Sequence, residues 1–136
     1  MVGALRVSLP GHWGPVVALA YVTSIEDPQR FRRSRDVGPY LGLRPRLRAS
    51  GGKEHKRRIT KEGDHELRCL LVQAAHAMLR SHRDCALKQW AERLIPRLGK
   101  RKAVVALARK LAVVMHHLRA TGQAFDPFPQ QASKAA

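Results

Sequence analysis

The second half of the chain carries apolar residues at helical spacing in three successive stretches. Leu67, Leu70, Leu71, Ala74, Ala75, Met78 and Leu79 follow the i, i+3, i+4, i+7 pattern, which turns one stripe of a helix toward a core. Gly63-Asp64 precedes that stripe, and Asp64 is placed as the N-cap that accepts from the free N–H groups of the first turn. A second pattern, from about Asp84 to Pro96, sends Leu87, Trp90, Ala91 and Leu94 inward and ends at Leu98-Gly99. A third, about Lys100 to Thr121, sets Val104, Leu107, Ala108, Leu111, Met115 and Leu118 on one face, with Gly122 as C-cap.

The first half is less regular. Residues 1–13 read as a loop ending in Pro10-Gly11-His12-Trp13, and Gly14-Pro15 then opens the apolar run Val16 to Val22. Its β-branched residues suit a strand, but proline fits the first helical turn without losing a hydrogen bond. A buried helix to about Ile25 is therefore expected. Asp27-Pro28 predicts a short capped helix through Phe31, and Ser34 is a candidate cap for another from Arg35 to Leu41, although Gly38-Pro39 interrupts it. The last residues, 127–136, rich in Pro, Gln and Ala, predict a disordered tail. The expected fold is mainly α: a small N-terminal helical unit over 10–43, a basic loop over 44–62 and a three-helix packing unit over 63–122, together one domain of residues 1–126.

Charge changes this picture most between the two helical parts. Arg44, Arg46, Arg48, Lys53, Lys56, Arg57, Arg58 and Lys61 stand against one acid, Glu54, leaving +7 over 18 residues. Ser50-Gly51-Gly52 lies in their midst, where glycine lets the backbone approach another molecule closely. The segment reads as a loop or a mobile hairpin. Across the chain, 26 Lys and Arg face 10 acids, a formal charge of +16. Such an excess repels itself in a compact fold and points to a polyanion, nucleic acid before membrane. No apolar run reaches the roughly 20 residues that span a bilayer, and the first residues lack the pattern of a secretory signal. Cys69 and Cys85 stand 16 apart without zinc-site spacing, as in a reduced, cytoplasmic protein.

Candidate chemistry is sparse. The Gly-rich turn at residues 10–15 leads into a helix, as in helix-hairpin-helix modules that hold a DNA backbone through N–H groups; a plain loop before a core helix fits it equally. Ser50 is a weak nucleophile unless a neighbouring base or strong positive field supports it, and by composition alone Ser50-Gly51-Gly52 is a flexible joint. Lys61 and Arg68 flank the start of the helix at Asp64 and could hold a phosphate; a solvated, capped helix entry is the alternative. His76, His116 and His117, and the pair His82 and Cys85, lack the further ligands that a metal requires. Trp13 and Trp90 read as core anchors. No carboxylates cluster for two-metal phosphoryl chemistry.

In order along residues 10–126, five segments carry a resemblance. These are Gly14-Pro15 with Ala18-Leu19 through Asp27-Pro28-Gln29-Arg30-Phe31; Tyr40-Leu41-Gly42-Leu43-Arg44-Pro45; Ser50-Gly51; Ile59 through Gly63 with Leu67-Arg68; and Ala106-Leu107-Ala108-Arg109-Lys110-Leu111-Ala112. Together they resemble the C-terminal transposase domain of the insertion-sequence 110/116/902 family, relatives of the Piv DNA invertase. The resemblance implies a DNA-binding domain for transposition and recombination, with Ser50 as the nucleophile joined to DNA. Arg44, Arg46, Arg48, Gly51, Lys53, Lys56, Arg57, Arg58, Lys61 and Arg68 would then hold the strand. It also implies a separate RuvC-like domain whose acidic set binds divalent metal such as Mg, with no cofactor in this chain. Such enzymes act as oligomers on DNA, some guided by a structured RNA. On that reading the chain is a truncated or split transposase that binds DNA, associates with itself or a full-length transposase, and does not complete transposition alone. The alternatives are a non-catalytic DNA- or RNA-binding module and a helical oligomerisation domain.

Overall fold

A computed structural model describes residues 14–43, 45–50, 53–59, 63–123 and 125–128, the two strands at backbone level. The fold is mainly α. Helix α1 spans Gly14–Ile25 and is followed by two 3-10 turns, Pro28–Arg30 and Ser34–Asp36, and a four-residue helix α2, Val37–Tyr40. Strands β1 (Pro45–Ser50) and β2 (Lys53–Ile59) come next, and then α3 (His65–Arg80), α4 (Ala86–Leu98) and α5 (Lys100–Thr121).

Helix α5 is the axis of the core. Its apolar stripe buries Val104, Leu107, Ala108, Leu111, Ala112, Met115 and Leu118. Helices α3, α4 and α2 and both 3-10 turns pack on it. Each large aliphatic side chain buried this way is worth about 1.5–3 kcal/mol. The predicted stripe of α3 is buried at Leu67, Leu71, Ala74, Ala75 and Met78, with Leu70 and Leu79 half-buried at its edge. In α4 only Ala91 is fully buried; Leu87 and Trp90 lie partly covered against the core. Pro96 falls inside α4 rather than ending it, although it has no N–H to donate to the carbonyl four residues before.

Helix α1 is amphipathic rather than wholly buried. Val17, Ala18, Tyr21 and Ile25 face the core, while Val16 and Leu19 are 64% and 55% exposed. Helix α1 packs on α3, and the buried Tyr21 hydroxyl donates to the Ala112 carbonyl of α5 at 2.8 Å. Burial pushes the pKa of that phenol well above the ordinary tyrosine range. Asp27 caps the first 3-10 turn as predicted, accepting from the Gln29 N–H at 2.9 Å. Ser34, by contrast, is not a cap: Arg33 takes that position. The Ser34 hydroxyl instead meets His116 Nδ1 at 2.8 Å, while His116 Nε2 lies 2.6 Å from the Pro28 carbonyl. One buried imidazole thus ties both 3-10 turns to α5. Gly38-Pro39 sits in α2, which closes through Leu41 N–H to the Val37 carbonyl.

The basic segment contains a hairpin. Strands β1 and β2 pair antiparallel, with Ser50 opposite Lys53, Ala49 opposite Glu54, Arg48 opposite His55 and Leu47 opposite Lys56. The register shifts before Pro45 meets Ile59, so Arg57 and Arg58 on β2 face the single residue Arg46 on β1, a β-bulge. Part of the expected tail is docked: the Pro127 carbonyl accepts from the Ala86 N–H at 2.8 Å, at the start of α4. Residues 129–136 lie outside the described residues.

Replacing Tyr21 by phenylalanine removes the bond to Ala112 while keeping the ring. The expected loss is about 0.5–1.5 kcal/mol, read as a lower urea midpoint with an unchanged denaturant slope.

Candidate nucleic-acid interface

Six of the predicted contact residues, Arg46, Arg48, Lys53, Lys56, Arg57 and Arg58, fall on the two-stranded ribbon, and Ser50 is the last residue of β1. β1 ends at Ser50 and β2 begins at Lys53, and the two residues between them in the sequence, Gly51-Gly52, are of the kind that short hairpin connections favour. Arg44, Gly51 and Lys61 lie outside the described residues.

The two ends of the ribbon return to one place. Leu43, before β1, is buried and its N–H donates to the Gly38 carbonyl at 3.0 Å. After β2, Gly63 has φ +88°, and a Cβ there would fall on the Tyr40 carbonyl oxygen. Only glycine lets the chain pass so close to α2 in this conformation. The next residue, Asp64, caps α3 by accepting from the Leu67 N–H at 2.9 Å. That bond and a second from the Ser24 side chain hold the Asp64 carboxyl below the ordinary aspartate range.

Arg68 is placed differently from the expectation of a strand contact. It is 6% exposed, and its Nη1 donates to the Leu41 carbonyl at 3.2 Å while Nη2 lies 3.1 Å from His65 Nδ1. Its guanidinium braces the junction of α2 with the ribbon from inside. The signal for this was in the sequence. Position 68 lies three before Leu71 and seven before Ala75, on the inward stripe, so an arginine there must find buried acceptors.

Among the described residues no three His, Cys, Asp or Glu side chains gather as a metal site, and both cysteines are free thiols. These residues do not fit a divalent-metal centre. No described helix is long and apolar enough to cross a membrane. Trp90 is half-buried, as an anchor at the core's edge, but Lys110 Nζ stands 4.4 Å from its ring centroid. Trp13 lies outside the described residues.

The described residues form a helical scaffold interrupted by a bulged ribbon that carries six of the chain's bases and ends its first strand on a serine. The sequence profile of the Transposase IS116/IS110/IS902 family matches residues 7–91, and the chain belongs to that family. It is 40% identical over 110 residues to the transposase for insertion sequence element IS1111A of Coxiella burnetii, covering 79% of this chain and 30% of that protein. A probable family 20 transposase of Pseudomonas aeruginosa is 34% identical over 116 residues, covering 84% and 34%. The transposase for insertion sequence element IS1328 of Yersinia enterocolitica is 32% identical over 122 residues, covering 88% and 36%. The chain therefore spans about a third of the length of these relatives.

Two substitutions test the ribbon's anchorage. Gly63→Ala forces a left-handed backbone and a collision with Tyr40, and is expected to cost roughly 1–3 kcal/mol in denaturant unfolding. Asp64→Ala removes the cap and is expected to cost about 1 kcal/mol at neutral pH. Because the folded carboxyl is more acidic than the unfolded one, its contribution is complete above about pH 4 and is lost as pH falls through the folded value. The gap between Asp64→Ala and the parent chain should therefore close on acidification; a constant gap would show that the charge plays no part.

Proposed function

We propose that this chain is the C-terminal, DNA-binding part of a transposase, and that the β1–β2 ribbon grips a DNA backbone and places Ser50 beside a phosphodiester. The observation that carries this reading is the position of Ser50 at the end of β1 opposite Lys53, on a ribbon with five further bases, in a member of a transposase family. Arg46, Arg48 and Ser50 occupy alternate positions of β1, and alternate positions of a strand share a face. Cations there would hold the non-bridging oxygens and stabilise the added negative charge as phosphorus is attacked.

In this reading the Ser50 Oγ forms a bond to phosphorus, the bond to one deoxyribose oxygen breaks, and that oxygen takes up a proton as a free hydroxyl. The seryl phosphodiester keeps the strand for rejoining. Deprotonation of the serine and divalent-metal chemistry fall to a RuvC-like acidic domain outside this chain. Alone, the chain binds DNA; with the rest of a transposase it exchanges strands.

The test uses two variants. Replacing Arg46, Arg48, Arg57 and Arg58 by glutamine should weaken binding to a DNA duplex and lower the slope of log K against log salt by about 3 to 4, since each phosphate contact contributes about 0.9. Ser50→Ala should leave duplex affinity unchanged and abolish any covalent protein–DNA adduct formed when the remaining two-thirds of a related transposase is supplied. An adduct that persists in Ser50→Ala removes the serine from the chemistry. A salt slope untouched by the four glutamines removes the ribbon from the interface.

A further inference from the structure

Away from the ribbon, the second 3-10 turn and α2 meet α4 and α5 along an open cleft of about 640 Å³, within the size range of sites that hold small ligands. Pro39, Trp90 and Val113 give it an apolar floor, and Arg35, Arg109 and Lys110 stand in its wall. The single acid there, Asp36, already accepts from the Arg33 N–H at 3.3 Å.

Two of the three cations are fixed by packing, and among the described residues none of the three forms an ion pair with that acid. Lys110 is fixed over the indole of Trp90, an attraction to the ring's electron-rich face that leaves the ammonium its full charge. Arg109 is half-buried and passes directly over Gly38, where an added Cβ would come within 2.9 Å of its Cγ. The glycine that interrupts the helical pattern of residues 35–41 therefore makes room for this arginine. Arg35 reaches the same cleft from an exposed turn. The combination is an apolar floor with an aromatic ring, two guanidinium groups and an ammonium.

We infer that this cleft is a binding site for single-stranded nucleic acid, taking an unpaired base on the floor beside Trp90 and Pro39 and its flanking phosphates on Arg35, Arg109 and Lys110. Aromatic rings and arginine planes beside a positive groove are what unpaired bases stack on. A duplex keeps its bases stacked inside and would leave the apolar floor unused. An acidic peptide would satisfy the cations but has no planar group for the apolar floor and the guanidinium faces. The site uses none of the ribbon's residues, so it stands or falls separately from the reading of Ser50 and the hairpin.

The test is indole fluorescence of the full chain carrying Trp13→Phe, so that Trp90 is the sole reporter. An oligothymidylate of about 12 nucleotides is expected to quench it in a salt-reversible way, and a blunt duplex of equal length to quench it far less. Arg109→Glu with Lys110→Glu should weaken the oligothymidylate on the order of tenfold or more, with helical circular dichroism unchanged. Arg35→Glu, on an exposed turn, is the companion variant should the pair disturb folding. The chain with four glutamines in the ribbon should keep the quench while losing duplex affinity. The inference is overturned by any of four results: no quench, equal quench by the duplex, stronger quench by a polyglutamate peptide, or full affinity in the cleft variants. Loss of the quench in the ribbon variant alone would assign the strand to the hairpin and overturn it as well.

Discussion

Burial of α5 from several sides is the constraint from which the rest of the molecule follows. A helix whose stripe of valine, leucine, alanine and methionine is covered by α3, α4, α2 and two 3-10 turns leaves its neighbours little freedom in where they begin and end. The first half of the chain, short of regular structure, is organised by what it can reach on α5: the Tyr21 hydroxyl finds the Ala112 carbonyl, and His116 gathers Ser34 and Pro28. These bonds are worth little each in water-exposed settings. In a buried position they are obligatory, since an unpaired carbonyl or imidazole nitrogen there would cost more than the bond returns.

With the interior committed to apolar contacts, the buried Arg68 is the exception, and most of the positive charge of the described residues lies toward the surface. Ten acids cannot match 26 bases whatever the pairing. The surplus is concentrated on the ribbon and around the outer faces of α4 and α5, where Arg93, Arg97, Lys100, Arg101 and Lys102 are exposed. Repulsion among these groups disfavours the compact state, and a bound polyanion relieves it.

What the sequence discloses follows from which forces act locally. The boundaries of α3 and α5 were legible because caps and stripe agree: Asp64 and Gly122 stand where the apolar spacing starts and stops. The strands were not, because 45–59 holds charged residues where a half-buried strand would alternate polar and apolar ones, and only the Gly-Gly connection hinted at a hairpin. The inward place of Arg68 is written in its position on the α3 stripe and hidden by its charge, which suggests a surface contact. Ser34 is the opposite case: local spacing marks it as a cap, while the partner of its hydroxyl, His116, lies 82 residues away. The family resemblance was legible, since its five segments are short but keep their order, and the profile over residues 7–91 agrees with it. The cleft beside Trp90 was not, because its cations come from residues 35, 109 and 110, which no spacing rule brings together.

The bulge in the hairpin also sets a length scale. It puts Arg46, Arg57 and Arg58 at one level of the ribbon, four residues along β1 from Ser50, or about 13 Å at strand rise. The densest charge of the ribbon and its serine therefore stand at opposite ends of β1, not side by side. A hairpin of plain register would spread its bases evenly along both strands; the bulge gathers three of them at one end of the ribbon instead.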